Sequence, residues 1–205
     1  MSVILSDELA LIGHTPEGAR YGGAPRVAIA AGEVGELLLQ QRLVPDGRFL
    51  LVRDPTPTGH PVPDQVLGQL VHRRSPMRLG TLLVDRANCY PAKMNHLVST
   101  GLVRAEARGS VFARHRYVPE PNLRNAVLLR LQNMLTGAAA PDPRTVALAG
   151  IVHGAALGTE LIPFADHRAA LAHFGEREPL GRAVQEVLAR SNTAAVAATV
   201  IVTSS

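Results

Sequence analysis

Between Arg144 and Leu157 the chain reads Thr145-Val-Ala-Leu-Ala-Gly-Ile-Val-His153, a helical stretch that is apolar nearly all round. A helix without a polar face has to be covered on every side by other elements. That demand points to a multi-layered helical assembly with this segment at its centre. The cover must come from Leu, Val, Ala and Ile, because aromatic residues make up only 3% of the chain and Trp is absent. Such a core suits helix-on-helix packing better than an aromatic-rich sandwich. The 205 residues suit one domain over 1–205, with 1–5 and 192–205 as its looser ends.

Local chemistry predicts the other elements. Ser6-Asp7-Glu8 reads as an N-cap with first-turn acids, opening a short helix that ends near Gly13. Glycines and prolines make Thr15 to Pro25 a loop. Val27 to Leu43 has the spacing of a helix buried on one face, with Gly32 and Gly35 allowing a neighbouring helix to come close. Pro45-Asp46-Gly47 between two apolar runs predicts a hairpin over Leu43 to Val52. The proline-rich stretch Asp54 to Pro63 is a rigid connector, and Asp64 begins a helix. Ser75-Pro76 is expected to start a helix running to Asn88, and Pro91 another that stops at Gly101. Leu102 to Tyr117 reads as a second hairpin turning at Gly109-Ser110. Pro121 opens a long helix, and two more follow the central one, over Ala165 to Phe174 and from Leu180 into the tail. The predicted fold class is mainly α: a helical bundle core wrapped by amphipathic helices, with two β-hairpins.

Charge is distributed unevenly. Residues 71–130 hold eleven basic and three acidic side chains, a balance of +8, against ten and fourteen, or −4, elsewhere. The segment therefore reads as one basic face that meets a polyanion. One candidate is nucleic acid. The helix from Pro91, the turn at Gly101 and the basic hairpin have the order of a winged helix, with Lys93, Asn95 and His96 toward a groove and Arg108, Arg114 and Arg116 on the wing. The other candidate is anionic lipid, with Val111, Phe112 and Tyr117 touching the bilayer between those arginines.

Catalytic and metal chemistry find little support. No Gly-x-Ser-x-Gly or His-Glu-x-x-His occurs, and the eight histidines lack metal spacing; Asp166-His167 with His173 comes nearest. His153 is expected to be a satisfied core histidine. Gly59 is expected in a turn, since Thr56 to Gly59 lacks the residues of a phosphate loop. The single Cys89 excludes an intramolecular disulfide and reads as a small buried hydrophobe. No enzyme activity, cofactor or metal is expected. With no apolar run of about 18 residues and no signal-peptide pattern at Met1 to Leu5, the expected setting is cytoplasmic, peripheral on the inner membrane face.

An ordered set of motifs resembles the Golgi phosphoprotein 3-like (GPP34) family in its bacterial branch. The motifs are Glu8 to Leu11, Gly35-Glu36-Leu37-Leu38-Leu39 with Arg42-Leu43, Pro57-Thr58-Gly59 with Asp64, Leu97 to Val103, and Arg144 to Ala155, spanning roughly Glu8 to Ser191. The resemblance implies a non-enzymatic, peripheral adaptor that binds phosphatidylinositol 4-phosphate or another anionic phospholipid, or a protein partner, and self-associates through the 102–118 hairpin. The family's head-group Trp falls in Tyr21 to Gly23, where Tyr21 is the aromatic residue; its Arg positions fall at Ala30, Ala87 and Tyr90. The resemblance thus directs attention to Tyr21, Arg20, Arg26, Arg86, Tyr90 and Lys93 as a shifted anion site, and to Arg108, Val111, Phe112, Arg114, Arg116 and Tyr117 as the hairpin contact. A winged-helix nucleic-acid binder and a scaffold without a lipid ligand are the alternatives.

Overall fold

The computed structural model describes residues 3–73, 75–107 and 115–203, and side chains as far as Ser191. Among these residues ten helices and two small antiparallel sheets follow one another. They are α1 (Leu5–Ile12), α2 (Ala24–Leu39), β1 (Leu43–Asp46), β2 (Phe49–Val52), α3 (Pro61–Val71), β3 (Met77–Arg78), α4 (Leu79–Ala87), α5 (Tyr90–Ser99), β4 (Val103–Ala107), β5 (His115–Pro119), α6 (Pro121–Leu135), α7 (Pro143–Gly154), α8 (Gly158–Leu161), α9 (Ala165–Gly175) and α10 (Pro179–Thr203). The mainly helical class with two hairpins is what the sequence predicts.

As expected, α7 is central, packed by α1, α2, α6, α9 and α10. It shares that place with α2, which touches α1, α3, α4, α7 and α10. The sequence predicts one buried face for α2, yet it is buried almost all round from Pro25 to Leu37. Its second face carries Ala, Gly and two glutamates; small residues admit close neighbours, and the glutamates are covered because cations reach them from other helices. The largest fully buried side chains are Leu, Ile and Met, the aliphatic core that the composition requires.

Two glycine contacts set the spacing. A Cβ on Gly32 would lie 2.7 Å from the Ser6 Cα, so α1 crosses α2 backbone to backbone, as the glycines of that helix suggest. At the α7–α10 crossing, Gly154 faces the Gly181 carbonyl and Gly181 faces the Gly150 carbonyl, with no room for a Cβ on either side.

Several boundaries differ from the sequence reading. The N-cap of α1 is Ile4, and Ser6 is buried inside the helix. Its opening amides are satisfied by side chains: Ile4 N donates to Asp7 Oδ2 at 3.0 Å and Leu5 N to Glu36 Oε2 at 2.9 Å. Ser75-Pro76 does not open α4. Met77 instead pairs with Leu50, adding β3 to the first hairpin in the order β1-β2-β3. The hairpin itself forms as read, pairing Leu43 with Val52 around Gly47 at φ 58°. Gly59 sits in its turn at φ 81°. Burial pushes the Asp64 carboxyl up, but hydrogen bonds from Thr58 N, Thr58 Oγ1 and Gly59 N outweigh it and leave the group below its ordinary value. The Pro-Thr-Gly…Asp motif is therefore a structural clasp at the start of α3. Cys89 is half-buried at the N-cap of α5, more open than a core hydrophobe. His153 is half-buried against Gly175.

The second hairpin pairs Val103 with Pro119 and Ala107 with His115. Its expected turn at Gly109-Ser110 lies outside the described residues, as do Arg108, Val111, Phe112 and Arg114.

Candidate functional site

The loop from Gly13 to Gly23 is built to hold its side chains in place. His14 and Arg20 form an isolated antiparallel bridge, Thr15 N donates to Ala19 O at 2.7 Å, and Tyr21 N to Gly13 O at 3.2 Å. Gly18, at φ 83°, packs against Val118, and its carbonyl accepts from Tyr117 N at 3.2 Å. The loop is thereby tied to β5.

Behind it lies an aromatic cluster of His14, Tyr90 and Tyr117, with ring centroids 6.1 to 6.3 Å apart. His14 Nδ1 is 2.7 Å from the Ala10 carbonyl and Nε2 is 2.8 Å from the Tyr90 hydroxyl. A carbonyl only accepts, so Nδ1 carries the proton and Nε2 accepts from Tyr90. Burial pushes the Tyr90 hydroxyl up, against the pull of Arg20, and keeps it a neutral donor. Burial likewise holds His14 below its ordinary value; the Ala10 hydrogen bond opposes this and the Arg20 charge adds to it.

A pH dependence follows. Below about pH 6.5 the unfolded chain takes up a proton that folded His14 refuses, so stability falls as pH drops through that range. Urea unfolding at about pH 7.5 and about pH 5.5 should show a smaller loss for His14→Gln than for the parent. An equal loss in both would show that His14 is not the group responsible.

Two guanidiniums lie over the Tyr90 ring. The Cζ of Arg20 is 5.2 Å and that of Arg26 is 5.9 Å from the ring centroid. Arg20 Nε donates to the Gly22 carbonyl at 2.6 Å and Arg26 Nε to the Ala87 carbonyl at 3.4 Å. Neither is ion-paired with a carboxylate among the described residues. Both line a cleft of about 1020 Å³, together with Tyr21, Ala87 and Asn88; Glu160 stands in its wall as the acidic member. Of the sequence-predicted anion site, the structure thus brings Arg20, Tyr21, Arg26 and Tyr90 together.

It takes Arg86 and Lys93 away. Arg86 is 6% exposed; its Nε donates to Glu33 Oε2 at 2.6 Å and its fork to Gln65. Lys93 is 4% exposed, and its Nζ is 2.6 Å from Asp7 Oδ1. Buried and already paired, neither is available to a head group, nor is Lys93 to a DNA groove. Ala30 is buried within α2. The basic face read from residues 71–130 is reduced for the same reason. Arg86, Lys93 and Arg130 are paired with Glu33, Asp7 and Glu8, acids drawn from the negative remainder of the chain. Arg104 pairs with Glu106, and Arg124 donates to the His14 carbonyl. In the second hairpin, Tyr117 is half-buried and packs into the aromatic cluster, which anchors the hairpin to the body. Arg116 beside it is half-buried.

The Golgi phosphoprotein 3 (GPP34) family model matches residues 5–191. The chain belongs to the GPP34 family. The match starts with α1 and ends within α10, so the whole described bundle up to Ser191 is the GPP34 unit. The chain matches no curated protein. Of the positions at which the resemblance sets the head-group residues, Tyr21 and Ala87 line the cleft, Tyr90 lies under its two arginines, and Ala30 is buried within α2. The arginines there come from neighbouring positions. Among the described residues, no helix is long and apolar enough to cross a membrane, and no cluster of His, Cys, Asp and Glu is fit to hold a metal.

Sequence reading missed His14, which orients Tyr90, and the acids Asp7, Glu8, Glu33 and Glu36, which absorb the inner cations. A signal existed for the latter. Asp7 and Glu8 lie among Leu5, Leu9, Leu11 and Ile12, so that they share a short helix with little but core residues.

Proposed function

We propose that this GPP34 protein is a non-enzymatic adaptor, folded as one domain over 1–205, that attaches peripherally to anionic membrane and takes a phosphorylated lipid head group in the Arg20–Arg26 cleft. The observation that carries the reading is the pair of guanidiniums over the Tyr90 ring, held through Nε by backbone carbonyls and paired with no carboxylate among the described residues. Their planar guanidiniums are the forks that phosphate recognition uses. Family membership supports phosphatidylinositol 4-phosphate as the first ligand to try. Contact with a protein partner or a second copy through the 102–118 hairpin is part of the same proposal.

Flotation with liposomes tests it. Vesicles containing phosphatidylinositol 4-phosphate are expected to bind the protein better than phosphatidylserine vesicles of equal charge, at physiological salt. Arg20→Gln with Arg26→Gln is expected to weaken that binding about tenfold or more. Binding to every anionic vesicle that vanishes with salt would reduce the site to general electrostatics. Loss of binding to competing duplex DNA alone, with no lipid preference, would favour nucleic acid.

A further inference from the structure

A second group of arginines converges elsewhere. Arg48 in the β1–β2 turn, Arg78 at the end of β3, and Arg182 and Arg190 on α10 line a cavity of about 360 Å³. It is separate from the Arg20–Arg26 cleft: of all lining residues the two have only Val187 in common. Glu186 is the acidic residue of this lining, and Arg190 pairs with it at 3.3 Å. Among the described residues, Arg48, Arg78 and Arg182 pair with no carboxylate. Glu178, one turn before Arg182 on the chain, is turned to Gly181 N instead, at 2.9 Å.

The cavity walls are fixed. The Arg78 guanidinium lies 5.6 Å from the Phe49 ring centroid, and Leu79 N donates to the Arg48 carbonyl at 2.9 Å, fastening the turn to the start of α4. No side chain caps α4, and its first-turn residues Gly80 and Thr81 border the cavity. Phe49 is 38% exposed and offers an apolar surface beside the charges. Three like charges held at one small cavity repel one another, and an anion with several oxygens relieves that repulsion.

We propose that this cavity is a second ligand site, which takes a phosphate monoester carried on a small organic body. The guanidinium forks meet the phosphate oxygens, and Phe49 meets the body. The phosphate is dissolved in one case and a lipid head group in the other, and titration of the full chain separates them. Calorimetry with glucose 6-phosphate, against glucose and sulfate, reads the dissolved form. Sedimentation with phosphatidic acid vesicles, against phosphatidylglycerol vesicles of equal anionic content, reads the lipid form.

At least one of the two monoesters is expected to bind in preference to its control. Arg48→Gln with Arg182→Gln should weaken that binding about tenfold or more, a larger loss than Arg20→Gln with Arg26→Gln causes on the same ligand. Arg78→Gln alone is the second variant, and thermal melting checks that each folds. Preference for neither monoester overturns the proposal. So does binding that survives the Arg48, Arg78 and Arg182 variants, whatever the fate of the other cleft.

Discussion

Replacing Lys93 with methionine will lower stability by about 3–5 kcal/mol, since it leaves a buried carboxylate without its cation. Asp7 is fully buried; one oxygen is held by Lys93 and the other by Ile4 N. Without Lys93 the charge keeps only the Ile4 amide and has neither water nor a cation beside it. In a chain of this size the loss should appear as a melting temperature lower by about 10 °C or more. The double variant Asp7→Asn with Lys93→Met should recover most of it. The asparagine still accepts from Ile4 N, and no ion remains unpaired. Thermal unfolding followed by circular dichroism decides. A single variant melting within about 2 °C of the parent would mean that the pair contributes little.

Gly154→Ala will cost about 3 kcal/mol or more, and Gly181→Ala will do likewise. At this crossing the added methyl meets main chain on the opposing helix, which has no rotamer to change. The α7–α10 pair must then separate, opening the centre of the core. Gly68→Ala is the contrast. Gly68 lies in α3, where an added Cβ meets nothing within 4 Å. It should stabilise by up to about 1 kcal/mol, the helix preference of Ala over Gly. Urea midpoints for the three variants test the difference; equal effects would show that helix propensity, not contact, governs these sites.

What the sequence revealed was local. Pro45-Asp46-Gly47 announces its hairpin because the turn chemistry is contained in neighbouring residues. The apolar run after Arg144 announces a central helix because full burial leaves its mark on every position. The strand at Met77 was hidden, since its pairing with Leu50 comes from outside the segment and Pro76 resembles a helix start. The candidate site divides in the same way. Arg20 and Tyr21 stand in a glycine-rich loop that reads as exposed. Arg86 and Lys93 looked equally available, but Arg86 shares a helix face with Leu82 and Leu83, and Lys93 with Leu97. A cation in register with core leucines is buried and paired, and its partner was tens of residues away.

Those distant pairings have a bearing on the order in which the chain can assemble. Glu8 meets Arg130 and Arg144, 122 and 136 residues later, and Glu36 meets Arg144, 108 residues later. While the ribosome has yet to deliver α6 and α7, Glu8 and Glu36 on the first two helices lack the cations that balance their burial. The N-terminal third therefore gains its lasting form only when Arg144 emerges, which makes this a protein that closes late in its own synthesis, from the C-terminal side inward.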